Sequence, residues 1–411
     1  MPQLLKLAVS QSHTLDTLQA TLQALQQTAH TAAQQGVDIL LFPEAYLGGY
    51  PRTCSFGAAI GSRTSEGREQ YLQYVKSSVD LGDTHIGAGD AWLRRELPVN
   101  EETGRRGDGT REMLEEVARS TGLFVVTGVV ERAGGSLFCA ALYVDPHKGV
   151  VGKRRKLMPT GSERLVWSQG TAASLRAVTA TIKGVRVVMG CAICWENLMP
   201  LLRYSLYSQQ VNLWLAPTGK AIGVFQYSVL GVTWANEFFF LCLADPRPTW
   251  GALCQTIAME GRCFVMSANQ CQKRSQLPGW ITGKSKAQEA VASGEKTVSG
   301  RRKSVATKEN NEIALPVSLN KDKSQSRVNG ESAVLEEESD EYVSRGGSCI
   351  VGPLGEFVRE PVWENSDELI MTEVDFEDCE RGKLDFDAAG HYSRSDQFHF
   401  GAAGLDLAPP P

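Results

Sequence analysis

Three apolar runs, each about the length of one strand, lead into side chains that can do chemistry. Val37-Asp38-Ile39-Leu40-Leu41-Phe42 stops at Pro43, and Glu44 follows at once. Val150-Val151-Gly152-Lys153-Arg154-Arg155-Lys156-Leu157 carries four consecutive basic residues near its end. Val185 to Ile193 runs into Cys194, where a helix-like segment begins near Trp195-Glu196-Asn197. Short apolar runs with such breaks suit buried strands. Open α/β sheets place their sites at the carboxyl ends of strands. A fold that gathers these three ends holds an acid, a lysine and a thiol in one place.

The rest of the pattern agrees with a layered α/β domain. Leu15, Leu18, Leu22 and Leu25 recur at helical spacing, so Thr14 to Gln35 is expected to be an amphipathic helix closed by Gly36. A second helix, near Arg111 to Ser120, stops at Gly122 before the apolar run Leu123 to Val130. Ser136 to Val144 and Val150 to Leu157 flank the turn Asp145-Pro146-His147-Lys148-Gly149, which predicts a hairpin. On that second strand Lys153, Arg155 and Leu157 share one face, and Arg154 and Lys156 the other. Glu196 to Gln210 is helical by pattern, Val211 to Leu215 a strand, and Glu368 to Phe376 a later strand leading into a short helix.

A thiol at the start of a helix meets unpaired N–H groups and the positive end of the macrodipole, which favour thiolate. Taken singly, each feature has a plainer explanation. A buried cysteine is usually inert core, Glu44 could be a solvated loop acid, and Lys153 to Lys156 could be an edge that resists aggregation. Taken together they make an acyl-transfer set, in which Glu44 moves protons, Lys156 stabilises negative charge and Cys194 attacks. Cys191 and Cys194 spell C-x-x-C, yet without a thioredoxin-like context Cys191 is expected to be strand core.

Phe42-Pro43-Glu44-Ala45-Tyr46-Leu47-Gly48-Gly49-Tyr50-Pro51-Arg52, Arg155-Lys156-Leu157-Met158-Pro159-Thr160-Gly161-Ser162-Glu163-Arg164 and Ile193-Cys194-Trp195-Glu196-Asn197 resemble, in order and spacing, the nitrilase family of the carbon–nitrogen hydrolase superfamily, in its fungal and bacterial type. The resemblance runs from about Leu4 to Leu407. It implies a four-layer α-β-β-α sandwich that pairs into αββααββα dimers. It also implies Glu44 as general base, Lys156 as catalytic lysine, Cys194 as nucleophile, and Glu163, with Trp195, in support. The family further implies homo-oligomers or spirals, with the C-terminal segment from His391 to Phe400 near an interface.

In that chemistry Cys194 attacks the nitrile carbon to give a thioimidate. Water activated by Glu44 then gives a tetrahedral intermediate. Loss of ammonia leads through a thioester to the acid, and loss of sulfur gives the amide. An aromatic or arylaliphatic nitrile is the expected substrate, with water as co-substrate and no metal or organic cofactor. Cyanide hydratase chemistry, or hydration of a nitrile to its amide, is the alternative partition. Amidases and carbamoylases share the Glu-Lys-Cys set, but Cys194-Trp195-Glu196 is more like the nitrile-acting branches. A net charge of −5 makes no case for nucleic acid. Ten cysteines without a disulfide framework, and no signal-like N-terminus, fit a cytoplasmic enzyme away from membranes.

Two segments interrupt the single domain expected over 1–411. Removing 219–243 joins Ala216-Pro217-Thr218 to Ala244-Asp245-Pro246 without a seam. The segment can also be back-translated with a splice donor at Gly219-Lys220, a branch point at Trp234-Ala235-Asn236 and a pyrimidine tract over Phe238 to Leu243. It is therefore expected to be a retained intron. A membrane span is disfavoured by Asn236 and Glu237, and an active-site lid by the apolar patch it would expose. An insert that blocks the site would instead leave an assembling but silent homologue. From 282 to 340 the chain is rich in Lys, Ser, Glu, Asn and Gln and poor in aromatics, so a disordered loop is expected.

Overall fold

The computed structural model describes residues 2–219, 247–282, 303–306, 312–315 and 340–408. Apart from Gly219, the suspected intron segment lies outside the described residues, as does most of 282–340. Residues 1–283 and 341–411 form one compact unit, and 284–340 a second. In the second, β13 (Lys303–Ala306) pairs antiparallel with β14 (Glu312–Leu315).

The first unit is built on two sheets. One runs in the order β17 (Glu368–Asp375), β1 (Leu4–Gln11), β2 (Ile39–Leu41), β5 (Phe124–Ala133), β6 (Ser136–Asp145) and β7 (Gly149–Arg155). The other runs β12 (Cys271–Lys273), β15 (Tyr342–Val351), β11 (Phe264–Asn269), β10 (Leu213–Thr218), β9 (Val185–Cys191) and β8 (Val178–Ile182), with β16 (Phe357–Trp363) also on β15. A two-residue pair, β3 (Ala58–Ala59) with β4 (Ser62–Arg63), stands apart. The central pairs β1–β2, β2–β5, β9–β10 and β10–β11 are parallel, so their carboxyl ends point the same way within each sheet.

The four layers follow from the two-residue period of the strands. Leu5, Leu7 and Val9, with Ile39, Leu41, Phe124 and Val126, face the second sheet and meet Val187, Met189, Leu213, Leu215 and Met266 in one core. The alternate residues Ala8, Leu40, Phe42 and Val125 face outward onto Leu22 and Leu25 of the helix Leu18–Gln34 and Leu114 and Val117 of the helix Thr110–Thr121. Behind the second sheet, Val188, Trp214 and Val265 pack on Leu202 and Leu206 of the helix Pro200–Tyr207 and on Trp250 and Ile257 of the helix Arg247–Gly261. Helix, sheet, sheet and helix are the layers expected of a nitrilase-like fold.

The differences from the sequence expectations are local. The first helix starts at Leu18 because Thr17 caps it, its hydroxyl oxygen accepting the Ala20 N–H at 3.1 Å. The hairpin forms as expected, with Asp145 Oδ1 accepting from the N–H groups of His147 and Lys148. The single helix expected from Glu196 to Gln210 is two pieces, a five-residue 3-10 turn Cys194–Leu198 and a helix restarted at Pro200. Proline cannot donate into a continuing helix but fits its first turn. Among the described residues no helix is long and apolar enough to cross a membrane.

Candidate active site

Glu44, Lys156 and Cys194 stand just beyond the ends of β2, β7 and β9, Glu163 lies in the 3-10 turn Gly161–Leu165, and all four are buried. Lys156 Nζ lies 2.7 Å from Glu44 Oε1 and 2.7 Å from Glu163 Oε2. Glu44 Oε2 accepts the Gly219 N–H at 2.7 Å, and its Oε1 also receives the Cys139 thiol at 3.5 Å. Glu163 Oε1 accepts from the Tyr50 hydroxyl at 2.7 Å, and Oε2 from the Thr160 N–H at 2.7 Å. Neither carboxylate is a solvated loop acid, and the basic run, although it starts on the edge strand β7, has its side chains paired and largely buried.

The two faces of that basic run have different partners. Lys153 and Arg155 turn to Asp83 and Glu131. Arg154 turns to Glu196, and Lys156 to the two site carboxylates. Burial pulls the Lys156 ammonium down, but Glu44, Cys194 and Glu163 together outweigh it and hold its pKa well above that of an ordinary lysine. Lys156 is therefore a proton-bearing cation here and not a base. Burial and the Glu44 charge push Glu163 up from the usual carboxylate range, against the pull of Lys156. Two carboxylates around one ammonium leave excess negative charge, and both shifts resist it.

Cys194 sits on a sharp elbow. Its φ is +54°, a left-handed conformation that side chains other than glycine rarely take. The following residues hold it there. Asn197 Nδ2 donates to the carbonyls of Ala192 at 2.8 Å and Cys194 at 2.7 Å, and Asn197 Oδ1 accepts from Trp214 Nε1 at 2.8 Å. Glu196 Oε2 accepts the Ile193 N–H at 2.9 Å, and Oε1 accepts the Leu157 N–H at 2.6 Å, beside Lys156. Arg154 Nη1 lies 2.7 Å from Glu196 Oε2, a charge contact whose N–H is not aligned as a hydrogen bond.

The 3-10 turn is too short for a macrodipole, so the helix argument for a thiolate at Cys194 does not hold. The cation beside the thiol is Lys156, close enough for the sulfur to weigh on its titration. Cys191 is buried strand core as expected, its thiol pushed up to about 12 by burial. Trp195 turns outward and is 37 % exposed. A cavity of about 860 Å³ lined by Trp92, Phe138, Lys153, Arg155 and Val178 does not include the Glu44, Lys156 or Cys194 side chains.

The carbon–nitrogen hydrolase family profile matches residues 6–383. The chain belongs to that family. Within it, an aliphatic nitrilase of Sinorhizobium fredii is 32% identical over 93% of this chain and 89% of its own. An arylacetonitrilase of Trametes versicolor is 30% identical over 97% of both. These relatives place the chain in the nitrilase family of carbon–nitrogen hydrolases. Among solved structures, Nit3 of Saccharomyces cerevisiae, a nitrilase-superfamily member, shares the fold with a TM-score of 0.53 at 14% identity, covering 96% of this chain and 97% of that one.

Several residues of this carbon–nitrogen hydrolase site carried no role in the sequence reading. Tyr50, Glu196 and Asn197 are legible in the sequence only as letters of motifs, and the Gly219 N–H not at all. Gly128 is another. A Cβ on it would come within 2.2 Å of the Pro43 carbonyl oxygen, 2.6 Å of the Ala45 nitrogen and 2.7 Å of Glu44 Cα. All three contacts are backbone, so Gly128→Ala must push the Glu44 segment off β5. Turnover is expected to fall by about a hundredfold from that displacement, read as kcat with Cys194 alkylation as the folding control. Gly219 is crowded by side chains instead, since a Cβ there meets Tyr50 Cδ2 at 2.6 Å and Glu44 Oε2 at 3.0 Å. A spliced chain, with alanine after Thr218, needs the Tyr50 ring or the backbone to give way.

Proposed function

We propose that this chain hydrolyses an organic nitrile, aromatic or arylaliphatic by its motifs, to the carboxylic acid and ammonia. The observation that carries the reading is the buried Glu44–Lys156–Glu163 cluster beside the Cys194 elbow. A nitrile carbon is a poor electrophile, so it needs a thiolate. The Cys194 sulfur forms a C–S bond as one C≡N π bond opens, and the nitrogen takes a proton from the Lys156 side. Glu44 accepts a proton from water as its oxygen adds to the thioimidate carbon. Glu44 hands that proton, and then the one on the new hydroxyl, to the nitrogen as the C–N bond breaks, so ammonia leaves and a thioester remains. A second water, activated in the same way, adds to the thioester carbon. The C–S bond breaks to release the acid and restore the thiolate, and the proton taken by Glu44 returns to Lys156. If the C–S bond breaks first, the product is the amide.

The test is ammonia release from phenylacetonitrile, with the acid and amide quantified together. The chain as written is run beside one lacking 219–243, with Cys194→Ala as blank. Glu44→Gln is expected to lower turnover by about 10²–10⁴-fold while Cys194 still reacts with iodoacetamide. Ammonia-free conversion to the amide would support hydration instead. Sequencing the transcript across Thr218–Asp245 addresses the insert, and a uniformly unspliced message would sink the intron reading. Self-association into dimers and larger assemblies is part of the same proposal. It fits Leu198 and Leu201, apolar and exposed next to the elbow; a monomeric mass in solution would count against it. A cytoplasmic place of action fits the unbridged cysteine pattern of the sequence.

A further inference from the structure

Five Arg and Lys residues are buried among the described residues: Arg52, Arg111, Arg154, Arg155 and Lys156. Four of them have a carboxylate within reach. Arg111 has Glu115 at 3.1 Å, Arg154 has Glu196 at 2.7 Å, Arg155 has Glu131 at 2.7 Å, and Lys156 has Glu44 and Glu163. Arg52 has none. Its Nη2 donates to Gln270 Oε1 at 2.7 Å, its Nε to Gln272 Oε1 at 3.3 Å, and its Cζ stands 5.0 Å from the centre of the Tyr50 ring. Those partners are neutral, and Nη1 is buried with no hydrogen-bond partner at all.

A buried guanidinium held only by neutral groups is expensive, because a lost charge partner in a dry interior is not replaced by water. Burial accordingly draws Arg52 down to about 10, although Tyr50, Glu44 and Cys194 act in the other direction. The place of this unmatched charge matters. Arg52 follows Glu44 by eight positions on the same loop, and it flanks Tyr50, whose hydroxyl donates to Glu163. Glu44 and Cys194 both register in its electrostatics without touching it. Gln270, which accepts from Arg52 Nη2, donates its own Nε2 to the Glu44 carbonyl at 2.8 Å, so the unmatched charge stands one side chain away from the candidate active site.

We propose that Arg52 receives the carboxylate of the substrate, so that the preferred nitriles are cyano acids, with the nitrile carbon presented to Cys194 and the acid group to the free edge of the guanidinium. This rests on the reading of the site as nitrile-hydrolysing and makes a carboxylate, in place of an aromatic group, the feature its substrates share. Nη1, together with the outer N–H of Nη2, offers the planar fork that carboxylates match. Gln272 and Gln270 fix the guanidinium by its other edge, their amide oxygens accepting from Nε and Nη2.

The experiment compares kcat/KM for 3-cyanopropanoate, 4-cyanobutanoate and 5-cyanopentanoate with that for the unsubstituted alkyl nitrile of the same chain length. It uses the full chain and the variants Arg52→Gln and Arg52→Lys. In parallel, succinate, glutarate and adipate are tested for slowing alkylation of Cys194 by iodoacetamide. The wild-type chain is expected to prefer the cyano acid of one chain length, and Arg52→Gln to reduce that preference roughly 10–100-fold, as suits a lost hydrogen-bonded ion pair. Arg52→Lys should fall between the two. At least one dicarboxylate should protect Cys194 in the wild type and not in Arg52→Gln.

An equal fall for both substrate classes would overturn the inference. Arg52 would then act only through Gln270, whose Nε2 donates to the Glu44 carbonyl at 2.8 Å. A wild-type chain without preference for cyano acids and without dicarboxylate protection would overturn it too. If no nitrile is turned over by the wild type, the nitrilase reading fails by itself, and the protection assay still decides what Arg52 binds.

Discussion

Cys194→Ala is expected to remove turnover altogether, a fall of about 10⁵–10⁶-fold to background, while the fold and its unfolding midpoint stay near those of the wild type. The reason is covalent. Each intermediate of the proposed route is a bond to this sulfur, so no other group can carry part of the reaction. The same logic makes the site a unit. Lys156→Ala leaves Glu44 and Glu163 facing one another without a cation, and one of them must take a proton. Glu163, already pushed up by burial and the Glu44 charge, loses the pull of Lys156 and is the one to take it. The site then has no ammonium to donate to the nitrogen or to balance developing negative charge, so Lys156→Ala is expected to cost nearly as much as losing the thiol. A double variant, Cys194→Ala with Lys156→Ala, should be no slower than Cys194→Ala. The measurement is single-turnover ammonia release, with thermal unfolding alongside. Residual turnover in Cys194→Ala above about one part in a thousand would mean that the nucleophile is another group.

Much of the framework was legible because it rests on period and punctuation. Two-residue alternation in Leu5-Leu7-Val9 and in Val185-Val187-Met189 fixes which face is core, and glycines at 36 and 122 stop helices wherever they stand. The facing of Lys153 to Lys156 follows from the same alternation, and the structure divides the four residues between the two sets of partners in that way. What stayed hidden depends on contacts between segments far apart in sequence. Gly219 meets Glu44 across 175 positions, and Arg52 meets Gln270 across 218. No local pattern signals that β5 must carry glycine at 128 to let the Glu44 segment lie against it. The break before Pro200 has its own sequence signal, the proline, which competes with apolar spacing that runs on from Glu196 to Gln210. The macrodipole argument needs that helix unbroken, and the short turn at Cys194 replaces it with the charge of Lys156.

Glu196→Ala is expected to be the largest destabilising change outside the reacting groups, at about 3–5 kcal/mol. Glu196 and Arg154 are buried with side chains 0% and 2% exposed. Removing the carboxylate strands the guanidinium in the interior and leaves the N–H groups of Ile193 and Leu157 without their acceptors. Burial alone would draw Arg154 down, and it is Glu196 that raises it above the ordinary arginine value. Taking both partners away should therefore hurt less than the single change suggests. Arg154→Met with Glu196→Ala is expected to recover part of the loss, because a buried pair exchanged for apolar volume removes the desolvation penalty with the attraction. Denaturant unfolding of the wild type, both single variants and the double variant closes the cycle. If Glu196→Ala unfolds within about 0.5 kcal/mol of the wild type, as an ordinary surface change does, the carboxylate is not what ties the Cys194 elbow to the strand that carries Lys156. If it is, the two ends share one acid, and a variant that loosens it separates nucleophile and lysine even where the sheets stay folded.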